Sequence, residues 1–184
     1  MKSPTKTGTS EYVEKRSRFL GIVKKVETED EAKAFIASVK KEYHDARHNC
    51  WCYIISGRAE RYSDDGEPQG TAGIPMLEVF KKEGVENAVC VVTRYFGGIL
   101  LGSGGLLRAY TKAAKDALAD SEPEEVTEME TLCFECAYSD FETIKNAVAS
   151  YGGQIADAVY GEKVQITALM PDCEEFKKNF LWKK

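Results

Sequence analysis

The run Gly97-Gly98-Ile99-Leu100-Leu101-Gly102-Ser103-Gly104-Gly105 follows an apolar strand pattern and opens a helical one. Backbone amides in such a turn can point at an anion, and a helix N-terminus adds partial positive charge there. Arg94 precedes the run and Arg108 follows it, so a phosphate could meet guanidinium partners as well. Thr93-Arg94-Tyr95-Phe96 sets a cation beside two aromatics, residue types that stack bases and hold phosphate. No Lys-Ser or Lys-Thr pair follows the glycines, so this is not a Walker A motif, and Gly102 to Leu107 breaks the dinucleotide spacing. The competing reading is that the glycines let strand, turn and helix pack closely.

A second constellation joins His48 to the acidic cluster Asp64, Asp65 and Glu67. A histidine with carboxylates can bind a divalent metal or move protons. Sequential aspartates in a Gly/Pro-rich loop are also plain turn formers, and no metal is assigned here. The six cysteines form no second CxxC motif. Cys133 and Cys136 sit three apart in a strand pattern, on opposite faces, which suits neither zinc nor a redox pair. Buried free thiols are expected throughout.

Elements must position these groups. Thr28-Glu29-Asp30-Glu31 is a capping box ahead of Ala32, Phe35, Ile36, Val39 and Tyr43 at helical spacing. Two short strands are expected over 11–26, a strand over 49–56, and a loop over 57–73. A short helix around Pro75 ends at Gly84. Ala88 to Thr93 reads as a strand buried on both faces, and Leu106 to Leu118 as a helix. Ser121 to Glu125 is polar, charged and broken by Pro123, the best linker. Beyond it come a strand over 126–138, a second capping box at Ser139-Asp140-Phe141-Glu142, a helix, two strands turning at Gly161, and a last helix from Pro171. That β-α-β-β-α order is a ferredoxin-like unit without its final strand. The expected domains are residues 1–120 and 126–184.

Length and charge bound the possibilities. The chain has 184 residues, 43% hydrophobic and 30% charged, enough for packed cores. Its net charge of −5 hides a division: +2 over residues 1–120 and −7 over 121–184. Residues 1–25 alone hold seven basic groups against two acidic ones. A uniformly basic DNA-coating protein is excluded; a local basic face is not. No stretch reaches the ~20 apolar residues of a membrane span, and the polar N-terminus does not read as a signal peptide. A cytoplasmic location is the expectation.

Several long motifs in order resemble the YigZ/Impact family. They are Ser17-Arg18-Phe19, Ala46 to Trp51, Ser63 to Gly73, and Thr93 to Tyr110, and the match covers about residues 10–120. The acidic last third is similar to the extra domain of bacterial YigZ-type members. The resemblance implies an α+β protein: an N-terminal α/β sandwich like domain 2 of ribosomal protein S5, then a ferredoxin-like α+β domain like the last domain of the translocation elongation factor. Both relatives act on the ribosome or RNA. Eukaryotic Impact proteins regulate translation through an amino-acid-starvation kinase and carry a further N-terminal domain, so that role is not expected here. The family lends no catalytic residues. Its motif positions carry over as a binding surface: His48, Asp64, Asp65, Glu67, Thr71, Gly73, Arg94, Tyr95, Gly97, Gly98, Gly102, Gly104, Gly105 and Arg108.

Three functions follow from these readings. The first is a non-enzymatic, translation-associated protein without a cofactor, binding RNA or the ribosome through the Arg94–Gly105 turn, with a protein partner on the acidic domain. The second is an enzyme in which Gly102–Gly105 holds a nucleotide or phosphometabolite and Asp64, Asp65 or Glu67 holds magnesium. The third is a protein-interaction module whose glycines are structural.

Overall fold

The computed structural model describes residues 1–127 and 129–181. It divides into two compact units, Met1–Val126 and Thr127–Lys184. The first contains β1 (Lys2–Ser3), β2 (Gly8–Glu14), β3 (Ser17–Lys25), α1 (Glu29–Glu42), β4 (His48–Ile55), β5 (Ala59–Ser63), α2 (Gly73–Glu83), β6 (Ala88–Tyr95), α3 (Ser103–Asp120) and β7 (Glu124–Glu125).

Five of these strands form an antiparallel sheet in the order β2-β3-β6-β4-β5. Central β6 is buried from Ala88 to Arg94, as its continuous apolar run requires. Strand alternation sends Val89 and Val91 to one face, where α1 covers them with Ala32, Ile36 and Val39. Cys90 and Val92 face the other side, under Met76 and Phe80 of α2 and Tyr110 and Ala113 of α3. Thr28 caps α1: Glu31 N–H donates to Thr28 Oγ1 at 3.2 Å, while Glu31 Oε2 reaches one residue beyond the box pattern, to Glu27 N–H at 2.8 Å.

Two expectations change. The stretch 57–73 contains β5, whose mostly polar residues make an exposed sheet edge rather than an amphipathic strand. The linker is part of the first unit, because Glu124 and Glu125 pair with Ser3 and Lys2, and Ser121 is buried.

The second unit runs β8 (Glu130–Cys136), a 3-10 turn at Tyr138–Asp140, α4 (Phe141–Ser150), β9 (Gln154–Tyr160), β10 (Val164–Met170) and α5 (Cys173–Phe176), then a π turn over Lys177–Leu181. Its antiparallel sheet has the order β8-β10-β9, the arrangement of the first three ferredoxin-like strands. Leu132, Val148, Val164, Ile166 and Phe176 fill its core. The second capping box does not form: α4 begins at Phe141 without a side-chain cap, since the 3-10 turn takes residues 138–140. Cys136 is buried and Cys133 exposed, so the opposite-face reading holds, but Cys133 is not a core thiol. Phe180 stacks on Phe176 at 5.4 Å. Trp182, the other aromatic of this short apolar tail, lies outside the described residues.

Candidate functional site

Period two separates the residues expected to act together at the end of β6. Arg94 shares the face of Cys90 and Val92, beneath α3, whereas Tyr95 points the other way, its hydroxyl donating to Asp45 at 2.8 Å. The two therefore do not serve one site.

Arg94 lies against a cavity of about 390 Å³ at the start of α3. Its side chain is only 7% exposed. Nη1 donates to Glu67 Oε1 at 2.7 Å, and the Tyr110 hydroxyl donates to the same oxygen at 2.8 Å. The guanidinium sits 5.6 Å from the Phe19 ring and 5.5 Å from the Phe96 ring. Its Nε–H is buried without an acceptor among the described residues. Burial, then Cys50 and Glu67, push the Tyr110 hydroxyl well above its ordinary pKa, so it remains a donor.

His48 is held by the strained loop that follows β5. Asp65 adopts φ 42°, and its carbonyl accepts from His48 Nδ1–H at 2.8 Å. A carbonyl can only accept, so Nδ1 carries the hydrogen and Nε2 faces Glu67 Oε2 at 3.9 Å. Asp65 itself takes Lys40 Nζ at 2.6 Å and Asn49 N–H at 2.7 Å. Asp64 accepts from the amides of Gly70 (2.8 Å), Ala72 (3.0 Å) and Gly73 (2.8 Å). It thus caps the N-terminus of α2, where Ala72 offers no side-chain oxygen. These carboxylates shape the loop. They do not converge with His48 and Glu67, so the histidine–carboxylate cluster reduces to one pair.

The remaining expected residues divide likewise. Thr71 is buried and donates to the Pro68 carbonyl at 2.6 Å, and Gly73 packs against the Ser63 backbone. Gly102 lines the cavity at φ 71°, a conformation glycine adopts without strain, and α3 starts after it with no side-chain cap. Gly98 borders open space, Gly104 lies beside Arg108, and Gly105 packs on Leu101. Gly97 is structural: a Cβ there would overlap the Arg16 backbone, and its N–H donates to Ser17 Oγ at 3.1 Å. This contact sets the basic β2–β3 turn against the glycine-rich turn.

Some cavity residues escaped the sequence reading. Arg47, exposed beside His48, lines the cavity and has no ion pair among the described residues. Leu100, 82% exposed, escaped as well; it forms an apolar wall with Phe96, the aromatic already expected beside Arg94. A large aliphatic side chain inside a glycine run was the available signal. Tyr110, buried behind the cavity on Glu67, was also missed; its polar tip in an alanine- and leucine-rich stripe was the signal.

Comparison with known proteins agrees. The Impact N-terminal domain family matches residues 15–118, and a domain of unknown function, DUF1949, matches 134–180. The IMPACT family member YvyE of Bacillus subtilis is 38% identical over 169 residues, 91% of this chain and 78% of that protein. The IMPACT family member YigZ of Escherichia coli is 35% identical over 161 residues, covering 85% and 79%. A crystal structure described as that of a hypothetical protein superposes with a TM-score of 0.69 at 33% identity, over 96% of this chain and 89% of that one. With the N-terminal domain family spanning more than half of the sequence, the chain belongs to the Impact family.

Proposed function

We propose that this protein is a translation-associated regulator that binds RNA, or the ribosome through its RNA, with the basic face around the Arg94 cavity. The observation that carries this reading is the β2–β3 turn. Lys15 (φ 46°) and Arg16 (φ 68°) form a two-residue connection between the paired residues Glu14 and Ser17. Such turns favour Asn-Gly, because left-handed backbone disfavours other residues by roughly 1–2 kcal/mol each. The chain instead keeps two exposed cations at a strained tip. The Gly97 contact places that tip beside the cavity loop. The domains of ribosomal protein S5 and of the translocation elongation factor that the family resemblance implies as fold relatives support a translational setting, by analogy alone. The second domain's excess negative charge suits a protein partner, since it repels an RNA backbone.

Ribosome co-sedimentation and RNA gel shifts across a salt series test the reading. Binding is expected to weaken with salt. The double variant Lys15→Asn/Arg16→Gly, which installs the preferred turn, should melt at a higher temperature yet bind RNA more weakly with a shallower salt slope. Absence of ribosome co-sedimentation and of any RNA shift at low salt would dismiss it. Arg94→Ala alone is a poor probe, because it also strands Glu67.

A further inference from the structure

The cavity has chemistry that an internal stretch of RNA backbone does not use. Two guanidiniums, Arg47 and Arg94, line it against a single carboxylate, Glu67. That carboxylate already accepts from Arg94 and Tyr110. The 18-residue helix α3 opens on the cavity through Gly102 and Ser103, with no side chain capping its first amides and no acidic residue in its first turn. Arg94 lines the same cavity, and its Nε–H is buried without an acceptor among the described residues. An unmet buried donor costs about 1–3 kcal/mol. The wall is therefore rich in donors and short of acceptors.

The donors arrive from three elements: Arg47 just before β4, Arg94 at the end of β6, and the amides of α3. A tetrahedral group with three free oxygens can satisfy all three. A phosphodiester offers two free oxygens and must leave in two directions. The volume falls within the range of roughly 300–1,000 Å³ typical of small-molecule sites. Phe96 and Leu100 supply an apolar wall beside the charged groups, where a nucleoside can lie.

Resting on the RNA-binding reading above, we infer that the cavity seats a phosphomonoester carried by a nucleoside: an RNA end or a free mononucleotide. The phosphate meets Arg94, Arg47 and the N-terminus of α3, and the nucleoside lies along Phe96.

The full chain is titrated at low salt with four probes: a 5′-phosphorylated oligoribonucleotide, the same oligonucleotide dephosphorylated, a nucleoside 5′-monophosphate, and the nucleoside. Each phosphorylated probe is expected to bind about tenfold or more tightly than its counterpart. Arg47→Ala and Arg94→Lys should abolish that preference. Lysine keeps a charge facing Glu67 while removing the remaining guanidinium donors, and a thermal melt confirms folding. A stronger preference for the oligonucleotide over the mononucleotide identifies an RNA end as the source, and equal affinity a free nucleotide. Equal binding of both oligonucleotides overturns the phosphomonoester site and leaves the RNA reading standing. Binding of the mononucleotide with neither oligonucleotide bound overturns the RNA reading and keeps the site. No binding of any probe overturns both.

Discussion

Beneath the sheet and loops of the first domain, Asn49, Glu67, Thr93 and Arg94 are all buried, whereas the buried residues described in the second domain are all apolar. Asn49 Oδ1 accepts from Thr93 Oγ1 at 2.7 Å on one side of the sheet, and Glu67 binds Arg94 on the other. The second domain packs Ile144, Val148, Ile166 and Phe176 with alternating strand burial on β10. Buried polar groups seldom improve stability over well-packed apolar ones. A domain that carries them beside a cavity holds chemistry that packing alone does not require. The contrast favours the first domain as the seat of the proposed site and gives the second a conventional core.

Breaking the buried pair is the harshest way to test that contrast. Glu67→Ala should destabilise the first domain by about 3–5 kcal/mol, because Arg94 is left buried without its partner. The double variant Glu67→Leu/Arg94→Met should recover most of that loss in a urea melt while losing ligand binding, which separates function from stability. If the double variant still binds RNA as the wild type does, the pair is merely structural.

In the second domain Ile166→Ala should cost about 2–4 kcal/mol through its cavity. RNA affinity, measured under conditions where the protein stays folded, should not change. A parallel loss of affinity would erase the division of labour drawn here.

Asp64→Ala removes the acceptor for three amides and should cost about 1.5–3 kcal/mol in thermal unfolding, with ligand affinity falling as the loop loosens around His48. Asp64→Asn should retain part of both.

Alkali should weaken the first domain next. Burial raises the pKa of Cys50, Tyr53 and Tyr110 in the fold, Tyr53 to about 12, with its hydrogen bond to Glu29 contributing. The unfolded chain releases these protons first, from the ordinary values of 9.0 and 10.0. The stability they contribute is complete below pH 9 and falls as pH rises towards 12. Urea melts across that range should show the decline, and Tyr53→Phe should make it shallower between pH 10 and 12.

The smallest expected effect is a control. Thr28→Ala at the start of α1 and Asp172→Ala at the start of α5 each remove one capping acceptor. Each should cost about 1 kcal/mol in its own domain, since capping depends on local geometry and not on what the core contains.

Local signals carried much of this molecule. The apolar run of β6, the Thr28 cap and Gly84 at φ 65° behind α2 each act within a few residues, so their outcome is readable from the chain. β5 was not, because Glu60, Arg61 and Tyr62 lack a buried face and are strand only through pairing with β4. The Ser139 capping box failed because the preceding residues close a 3-10 turn first.

For the site, residue types were legible and roles were not. Residue types and spacing establish that His48, an acidic loop, Arg94 and a glycine-rich helix start are present, and that negative charge gathers in the last third. Which carboxylate meets which cation is set by the fold. Asp64, Asp65 and Glu67 lie within four positions of one another, yet they face backbone amides, a lysine, and the Arg94–Tyr110 pair respectively. Strand parity turned Arg94 inward and Tyr95 away, and the Gly97 contact brought a turn 80 residues distant to the cavity's side. Such choices depend on side-chain direction and on contacts remote in sequence, which composition and spacing do not encode.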